Sequence, residues 1–134
     1  MYLNRLSTEQ KELFLDLCIH AAMANNDFAD EEKNVIDQYC AEMQISQPRY
    51  TSEKAVDVVV EELKELSTPQ EMKMILLEIT ALMLSDDVYD VEEKAFMKAF
   101  LDRIGFNKKI LDEMVVLLQE TRSLYRRIDC LIME

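Results

Sequence analysis

The side chains most able to bind a ligand are carboxylates gathered in two short acidic stretches. The first covers residues 25–33 and the second residues 86–94, and both end in Glu-Glu-Lys. They offer only oxygen donors, the ligands that hard cations such as calcium and magnesium prefer. An EF-hand is excluded, because counting from Asp86 puts Val91 where glycine is required and Met97 where the bidentate Glu is required. Any cation site therefore depends on the fold bringing the two stretches together.

Titratable residues outside these stretches do not form a recognisable catalytic group. The only histidine, His20, follows Asp16 by four residues, so that carboxylate can pair with it. The sequence has no nucleophile elbow, no Glu-x-x-His pair for a di-iron bundle and no His-Glu-x-x-His for zinc. We expect His20 at the boundary of the core or within it, and Glu78 on a narrow exposed strip of an otherwise apolar helix. The chain is predicted not to be an enzyme.

The charge balance narrows the classes of partner. Twenty-seven acidic against fifteen basic residues give a formal charge of −12, which repels nucleic-acid phosphates and anionic lipid headgroups. We therefore expect no nucleic-acid partner and no membrane partner. A cation or a basic protein surface is electrostatically favoured, although an acidic excess also keeps a protein soluble without any partner.

Cysteine placement and the character of the N-terminal residues indicate a cytoplasmic protein. Cys18, Cys40 and Cys130 are odd in number, widely spaced and set in apolar stretches, so we expect reduced thiols in the core. The first five residues contain no apolar signal core. The most hydrophobic stretch, residues 74–84, is too short to span a bilayer and is interrupted by Glu78.

The elements that position the acidic stretches are predicted to be helices. One Gly and two Pro in 134 residues cannot supply the tight turns that a β-sandwich or barrel needs. Capping boxes at Ser7–Gln10, Thr68–Glu71 and Asp90–Glu93 mark three helix starts, and Gly105 marks a helix end. Apolar residues recur between these signals at helical spacing. The predicted helices cover residues 7–25, 30–43, 51 or 52 to 66, 68–85, 90–104 and 108–133, the last with a break near residues 121–123 that would make seven.

The sequence contains one internal repeat. Shifting it by 61 residues places residues 25–33 on residues 86–94 and aligns Glu-Glu-Lys in both copies. The apolar positions that follow in one copy meet apolar positions in the other. Such a unit cannot bury its apolar face alone, so two units pair. We predict an all-α fold, a compact bundle of six or seven helices with two pseudo-symmetric helix-loop-helix halves, in one domain over residues 1–134.

These repeated features resemble the TerB-like family of tellurite-resistance proteins. They are an acidic turn, a hydrophobic residue and a Glu-Glu-Lys helix start, each present twice, with an alanine-rich helix end before the first turn. The resemblance covers most of the chain. It implies a bundle of about seven helices in a single TerB-like domain, an association with tellurite resistance and wider stress responses, and no catalysis.

The resemblance also implies where a divalent cation would bind. The family pattern places Asp-Gly at the turn and a Glu seven positions after the Asp, and its clustered acids are thought to hold the ion. This chain departs from the pattern, because the turn reads Asn-Asn in the first half and Asp-Asp in the second, while the Glu is present in both. Asp27 can replace the carboxylate missing from the first half. The implied ligands of a calcium or magnesium ion are Asp86, Asp87, Glu93, Asn25, Asp27 and Glu32.

A structural alternative remains open for the same acids. Asp90 and Glu93 can cap a helix, while the acidic residues of the first turns complement the helix dipole. The protein would then be an interaction or dimerisation module without metal, acting through a protein partner or a homodimer. Residues 125–133 are apolar and slightly basic. We expect this segment to dock on the chain's own bundle, with another subunit as the alternative.

Overall fold

The computed structural model describes residues 1–24, 28–85 and 89–134, and every regular element within these ranges is a helix. A short 3-10 helix covers Leu3–Arg5 and precedes six α-helices. The predicted all-α class is confirmed, and the last helix has no break. The helices are α1 (Thr8–Ala22), α2 (Asp30–Glu42), α3 (Val56–Leu66), α4 (Pro69–Met83), α5 (Val91–Ile104) and α6 (Lys108–Met133).

Side-chain caps start three of these helices where the sequence predicts them. The Ser7 hydroxyl accepts the Gln10 amide at 3.2 Å, and the Thr68 hydroxyl accepts the Glu71 amide at 3.1 Å. Each satisfies a backbone N–H that has no partner within its helix. At the C-terminal end of α5, Gly105 adopts the left-handed conformation with a φ of 78° and donates its amide to the Leu101 carbonyl. A side chain at that backbone conformation would be strained, which explains the only glycine in the chain.

The start of α3 differs from the prediction, because the helix begins at Val56 and not at residue 51 or 52. The residues before it are tied to α1 instead. Arg49 donates to the Asp16 carboxylate at 2.7 Å, and the Ser52 hydroxyl donates to the same carboxylate oxygen at 2.8 Å. The Ser52 hydroxyl thus binds a carboxylate distant in sequence and does not cap a helix.

The internal repeat is visible in the positions of the helices. Thr8 and Pro69, which start α1 and α4, are 61 residues apart, as are Asp30 and Val91, which start α2 and α5. In each half the third helix packs chiefly on the first, α3 on α1 and α6 on α4. Equivalent positions are also buried in both halves, as shown by the pairs Ile36 with Met97, Tyr39 with Phe100 and Cys40 with Leu101.

The core lies around α1 and α4, the two helices that join the halves. Phe14, Leu17, Ile75 and Ile79 are all fully buried there. The rings of Phe14 and Tyr39 pack with their centroids 5.6 Å apart, which links α2 to the same core. Of the helices in the described ranges, none is both long enough and apolar enough to cross a bilayer.

Candidate functional site

The two predicted glutamate ligands occupy equivalent, buried positions. Glu32 is 2% exposed and Glu93 is 1% exposed, each in the first turn of its helix. Glu32 accepts the Ala29 amide at 3.1 Å, and Glu93 accepts the Asp90 amide at 3.4 Å. The structure therefore places both carboxylates as helix caps. The sequence left this role open for Glu93, whereas Glu32 was expected only to complement the helix dipole.

The other four predicted ligands, Asn25, Asp27, Asp86 and Asp87, lie outside the described residues. Within the described part of the chain, no three His, Cys, Asp or Glu side chains converge as a metal site would require. The cation site therefore stays a prediction from the family resemblance.

Cation–π contacts beside these glutamates repeat in both halves. The Lys33 ammonium lies 5.6 Å from the centre of the Phe28 ring, and the Lys94 ammonium lies 5.5 Å from the centre of the Tyr89 ring. Burial and the nearby Glu93 carboxylate raise the pKa of the Tyr89 hydroxyl. The same arrangement of aromatic ring, capping glutamate and lysine thus appears twice. A feature retained in both copies indicates a shared structural requirement at the start of α2 and α5.

Glu78 is buried, which corrects the expectation that it lies on an exposed strip of α4. Its side chain is 6% exposed, and its carboxylate lies 3.2 Å from the ammonium of Met1 and accepts the Tyr2 amide at 3.3 Å. Glu42 receives the same ammonium at 2.7 Å and the Leu3 amide at 2.8 Å. The N-terminal residues therefore cover Glu78 and satisfy its charge. This network anchors the first residues to α2 and α4, and it engages the carboxylates of both Glu42 and Glu78.

A groove between α1 and α3 encloses about 700 Å³. Its acidic side chains are largely paired. Arg49 bridges Asp16 at 2.7 Å and Glu12 at 3.3 Å, and Lys54 lies 2.8 Å from Glu62. These contacts hold the segment before α3 against the bundle. The charged side chains that line the groove therefore have a structural role as ion pairs.

His20 lies near the same segment, at the boundary of the core as expected. Its Nε2 is 2.7 Å from the Lys54 carbonyl oxygen, although the sequence suggested a pairing with Asp16. Asp16 is instead engaged by Arg49 and Ser52. The imidazole thus helps to fix the backbone before α3.

A continuous apolar face on the distal part of α6 is left uncovered. Every residue from Ser123 to Glu134 is exposed. The expectation that residues 125–133 dock on the chain's own bundle is therefore wrong. We define the α6 stripe as the large apolar side chains that lie exposed along this face: Leu117, 58% exposed, Leu124, 54%, Tyr125, 66%, Ile128, 49%, Leu131, 72%, and Ile132, 72%.

Arg122 marks the point where α6 leaves the bundle. Its guanidinium donates to the Leu84 carbonyl at 2.6 Å and to the Ser85 carbonyl at 3.3 Å, just after the end of α4. Before this residue, Leu111 is buried, and Met114 and Val115 pack against the core. An amphipathic helix stabilises a fold by burying its apolar face. The first half of α6 buries its apolar face against the core, whereas the distal half leaves its apolar face exposed.

A shallow groove continues from the α6 stripe towards α4. It encloses about 460 Å³, and its walls include Leu118 and Tyr125 of α6 and Ala81 of α4. Tyr125 thus belongs both to the stripe and to this groove. The uncovered apolar surface therefore extends from the distal helix to the body of the bundle.

A regular signal for the α6 stripe is present in the sequence. Leu117, Thr121, Leu124, Ile128 and Leu131 follow one another in alternating steps of four and three residues. Steps that average 3.5 residues are the mark of a helix that pairs with another helix. The chain's own bundle cannot use all of this face, because the same helix turns an adjacent face towards α4.

The cysteines divide into two kinds. Cys18 and Cys40 are buried, as predicted, and burial is the main cause that raises the pKa of both thiols. Cys130 is exposed, so its assignment to the core is wrong. It lies two residues from Ile128 and hence on the opposite side of α6 from the stripe.

Comparison of the chain with protein-family models, with curated proteins and with solved structures gave no match in any of the three.

Proposed function

We propose that this protein is a non-enzymatic helical module that works by binding a helix of a partner protein along the α6 stripe. The observation that carries the proposal is the uncovered apolar face between Leu117 and Ile132. Exposed apolar patches of a few hundred Å² on soluble proteins commonly mark interaction sites. The helical groove geometry suits an amphipathic partner helix, whose apolar residues would recur at the same spacing.

The rest of the molecule supports a binding role for α6. The Glu78 network and the ion pairs around Arg49 are accounted for by the stability of the bundle, and the described contacts of Glu32 and Glu93 are helix caps. The distal part of α6 has no such explanation, because its apolar side chains contribute nothing to the core. A partner that covers them would gain the favourable free energy of their burial.

Site-specific photo-crosslinking tests this function. A photoreactive amino acid at Ile128, in the full chain within cells that express it, should give a discrete covalent adduct with another polypeptide. The adduct should disappear with Leu131→Glu, which removes apolar surface without touching the core. The matched control carries the photoreactive group at position 130, on the opposite side of the same helix. Equal yields from the two positions, or no adduct from position 128, would contradict the proposal.

The resemblance to TerB-like proteins supplies a second candidate, which is a cytoplasmic stress-linked module that binds a divalent cation at its acidic turns. It is supported by the equivalent placement of Glu32 and Glu93 in the two halves. A ligand that binds only the native state raises the melting temperature by mass action. Millimolar calcium or magnesium should therefore raise the melting temperature of the wild-type chain, and Asp86→Asn with Glu93→Gln should abolish the rise. A wild-type chain that does not respond to either ion would exclude this candidate.

A further inference from the structure

The spacing along α6 determines how a partner helix would meet it. The seam formed by Leu117, Thr121, Leu124, Ile128 and Leu131 follows the alternating steps of a coiled coil. Thr121 is its one polar member. Its hydroxyl donates to the Leu117 carbonyl of the same helix at 2.8 Å, so the side chain can enter an apolar seam with its hydrogen bond already made.

The amount of apolar surface suits a pair of such helices. Fully burying a large aliphatic side chain removes about 100 Å² from water, so the six partly exposed side chains of the α6 stripe present on the order of 400 Å². One partner in a specific interface buries about 800 Å², of which about 65% is apolar in homodimers. The stripe alone therefore supplies most of what one side of a stable dimer needs.

The distribution of charge allows a second copy to approach the distal part of α6. The chain as a whole carries a formal charge of −12, which opposes contact between two copies. Between Ser123 and Met133 the charged residues are Arg126, Arg127 and Asp129 only, a local balance of +1 from two basic and one acidic residue. The stretch that bears most of the α6 stripe thus lacks the acidic excess of the chain as a whole.

The charges that flank the seam favour one orientation. Glu120 and Arg127 each precede a seam residue by one position, so both lie on the same flank of the helix, and both are exposed. In an antiparallel pair the two-fold axis keeps this flank of both helices on the same side. Glu120 of each copy then lies beside Arg127 of the other. In a parallel pair this flank would face Tyr125 and Ile132, which offer no charge.

We propose that the partner of the α6 stripe is a second copy of this chain, whose α6 packs antiparallel across the first. The two-fold axis passes between Thr121 and Leu124. Thr121 then meets Leu124 of the second copy, and Leu117 meets Ile128 of the second copy. This assignment rests on the proposed function, because it names the occupant of the same surface.

Oxidative crosslinking of the full chain tests both the partner and the orientation. In a Cys130→Ser background, the Leu117→Cys and Ile128→Cys proteins are prepared with different molecular masses, so that the mixed disulfide can be told apart from the self-linked products. The two proteins are then mixed and oxidised. A disulfide needs Cα atoms within about 7 Å, and in the antiparallel pair two copies of position 128 lie roughly 16 Å apart along the helix. The mixture should therefore give the mixed disulfide, with little self-linked product from either protein alone.

The alternative results separate the two proposals. Efficient self-linking of Ile128→Cys would indicate a parallel pair and overturn the antiparallel assignment. Monomer throughout, combined with a hetero-adduct from the photoreactive group at position 128, would overturn the second copy as partner but leave the helix-binding function standing. Monomer throughout with no adduct would overturn both.

Charge reversal provides a measurement without cysteines. Glu120→Arg and Arg127→Glu should each weaken dimerisation roughly tenfold in sedimentation equilibrium, because each breaks two symmetric ion pairs and places like charges together. The double variant restores opposite charges on the flank and should return the affinity to within about threefold of wild type. Failure of the double variant to recover would contradict the proposed register.

Discussion

Arg122 of α6 donates a hydrogen bond of 2.6 Å to the carbonyl oxygen of Leu84, the C-cap residue of α4. The last carbonyls of a helix have no partner within it and carry partial negative charge, so a guanidinium placed there is doubly favourable. We expect Arg122→Ala to lower the free energy of unfolding by about 1–2 kcal/mol. Urea denaturation followed by circular dichroism measures the loss.

Lys98→Ala is the control for this change, because Lys98 is an exposed cation of α5. Its effect should stay within about 0.5 kcal/mol. If Arg122→Ala is no more destabilising than Lys98→Ala, the contact between α6 and the end of α4 contributes nothing measurable.

The capping role of the buried glutamates can be separated from their charge. Glu93→Ala removes a side chain that is 1% exposed and accepts the Asp90 amide, whereas Glu92→Ala removes an equal charge from an exposed neighbour. Loss of the cap should cost about 1 kcal/mol or more, and the control should cost a few tenths. Thermal denaturation in a chelator keeps any effect of divalent cations out of the comparison. Equal losses would show that only the helix dipole is involved.

Thiol reactivity should distinguish the three cysteines. The thiolate is the reactive form, and burial raises the pKa of Cys18 and Cys40, while Cys130 is exposed. A chromogenic disulfide reagent should therefore titrate Cys130 at once in the native protein and all three thiols after unfolding. Cys130→Ser should remove the fast reaction. Rapid labelling that persists in that variant would show that the core opens readily.

Glu71 should make the stability of α4 sensitive to acid. Its hydrogen bond with the Thr68 backbone lowers the pKa of its carboxyl below the ordinary value. A lowered folded-state pKa stabilises the protein above the unfolded value, about 4.3, and this contribution is lost as the pH falls through the folded value. Glu71→Gln keeps the acceptor but not the charge, so it should cost about 0.5 kcal/mol at pH 7.

The difference between wild type and Glu71→Gln should shrink as the pH falls below the unfolded value and vanish once the carboxyl is protonated in the folded state. Glu65→Gln, which changes an exposed acid of α3, should show no comparable dependence on pH. A difference for Glu71→Gln that persists undiminished in acid would mean that the ionised carboxylate is not what stabilises the start of α4.

Helix starts were predictable wherever their signals are local. The caps at Ser7, Thr68 and Asp90 each act on an amide three residues away, so sequence alone contains both partners. The start of α3 could not be predicted in this way, because the Ser52 hydroxyl binds Asp16, 36 residues earlier. A hydroxyl that can cap a helix can equally bind a distant carboxylate, and only the tertiary fold decides between them.

The candidate site shows the same division. The amphipathic pattern of the last helix indicates an apolar partner, but it does not say whether that partner is the same chain, and docking in cis was wrong. The burial of Glu78 was not predicted because its partners are distant in sequence. Tyr2, which donates its amide to Glu78, lies 76 positions earlier. The repeat identified Glu32 and Glu93 as a matched pair, while the structure supplied their capping contacts.

The packing of α3 on α1 and of α6 on α4 also bears on the order in which the native state assembles. The main contacts within each half join its first and third helices, α2 and α5 contact the first helices of both halves, and the pairing of α1 with α4 is the principal join between the halves. Chains dominated by short-range contacts cross their folding barrier quickly. We therefore expect fast, helix-led folding in which α3 packs on α1 and α6 on α4 early, and the common interior that holds Phe14 and Ile75 closes when α2 and α5 join the two halves.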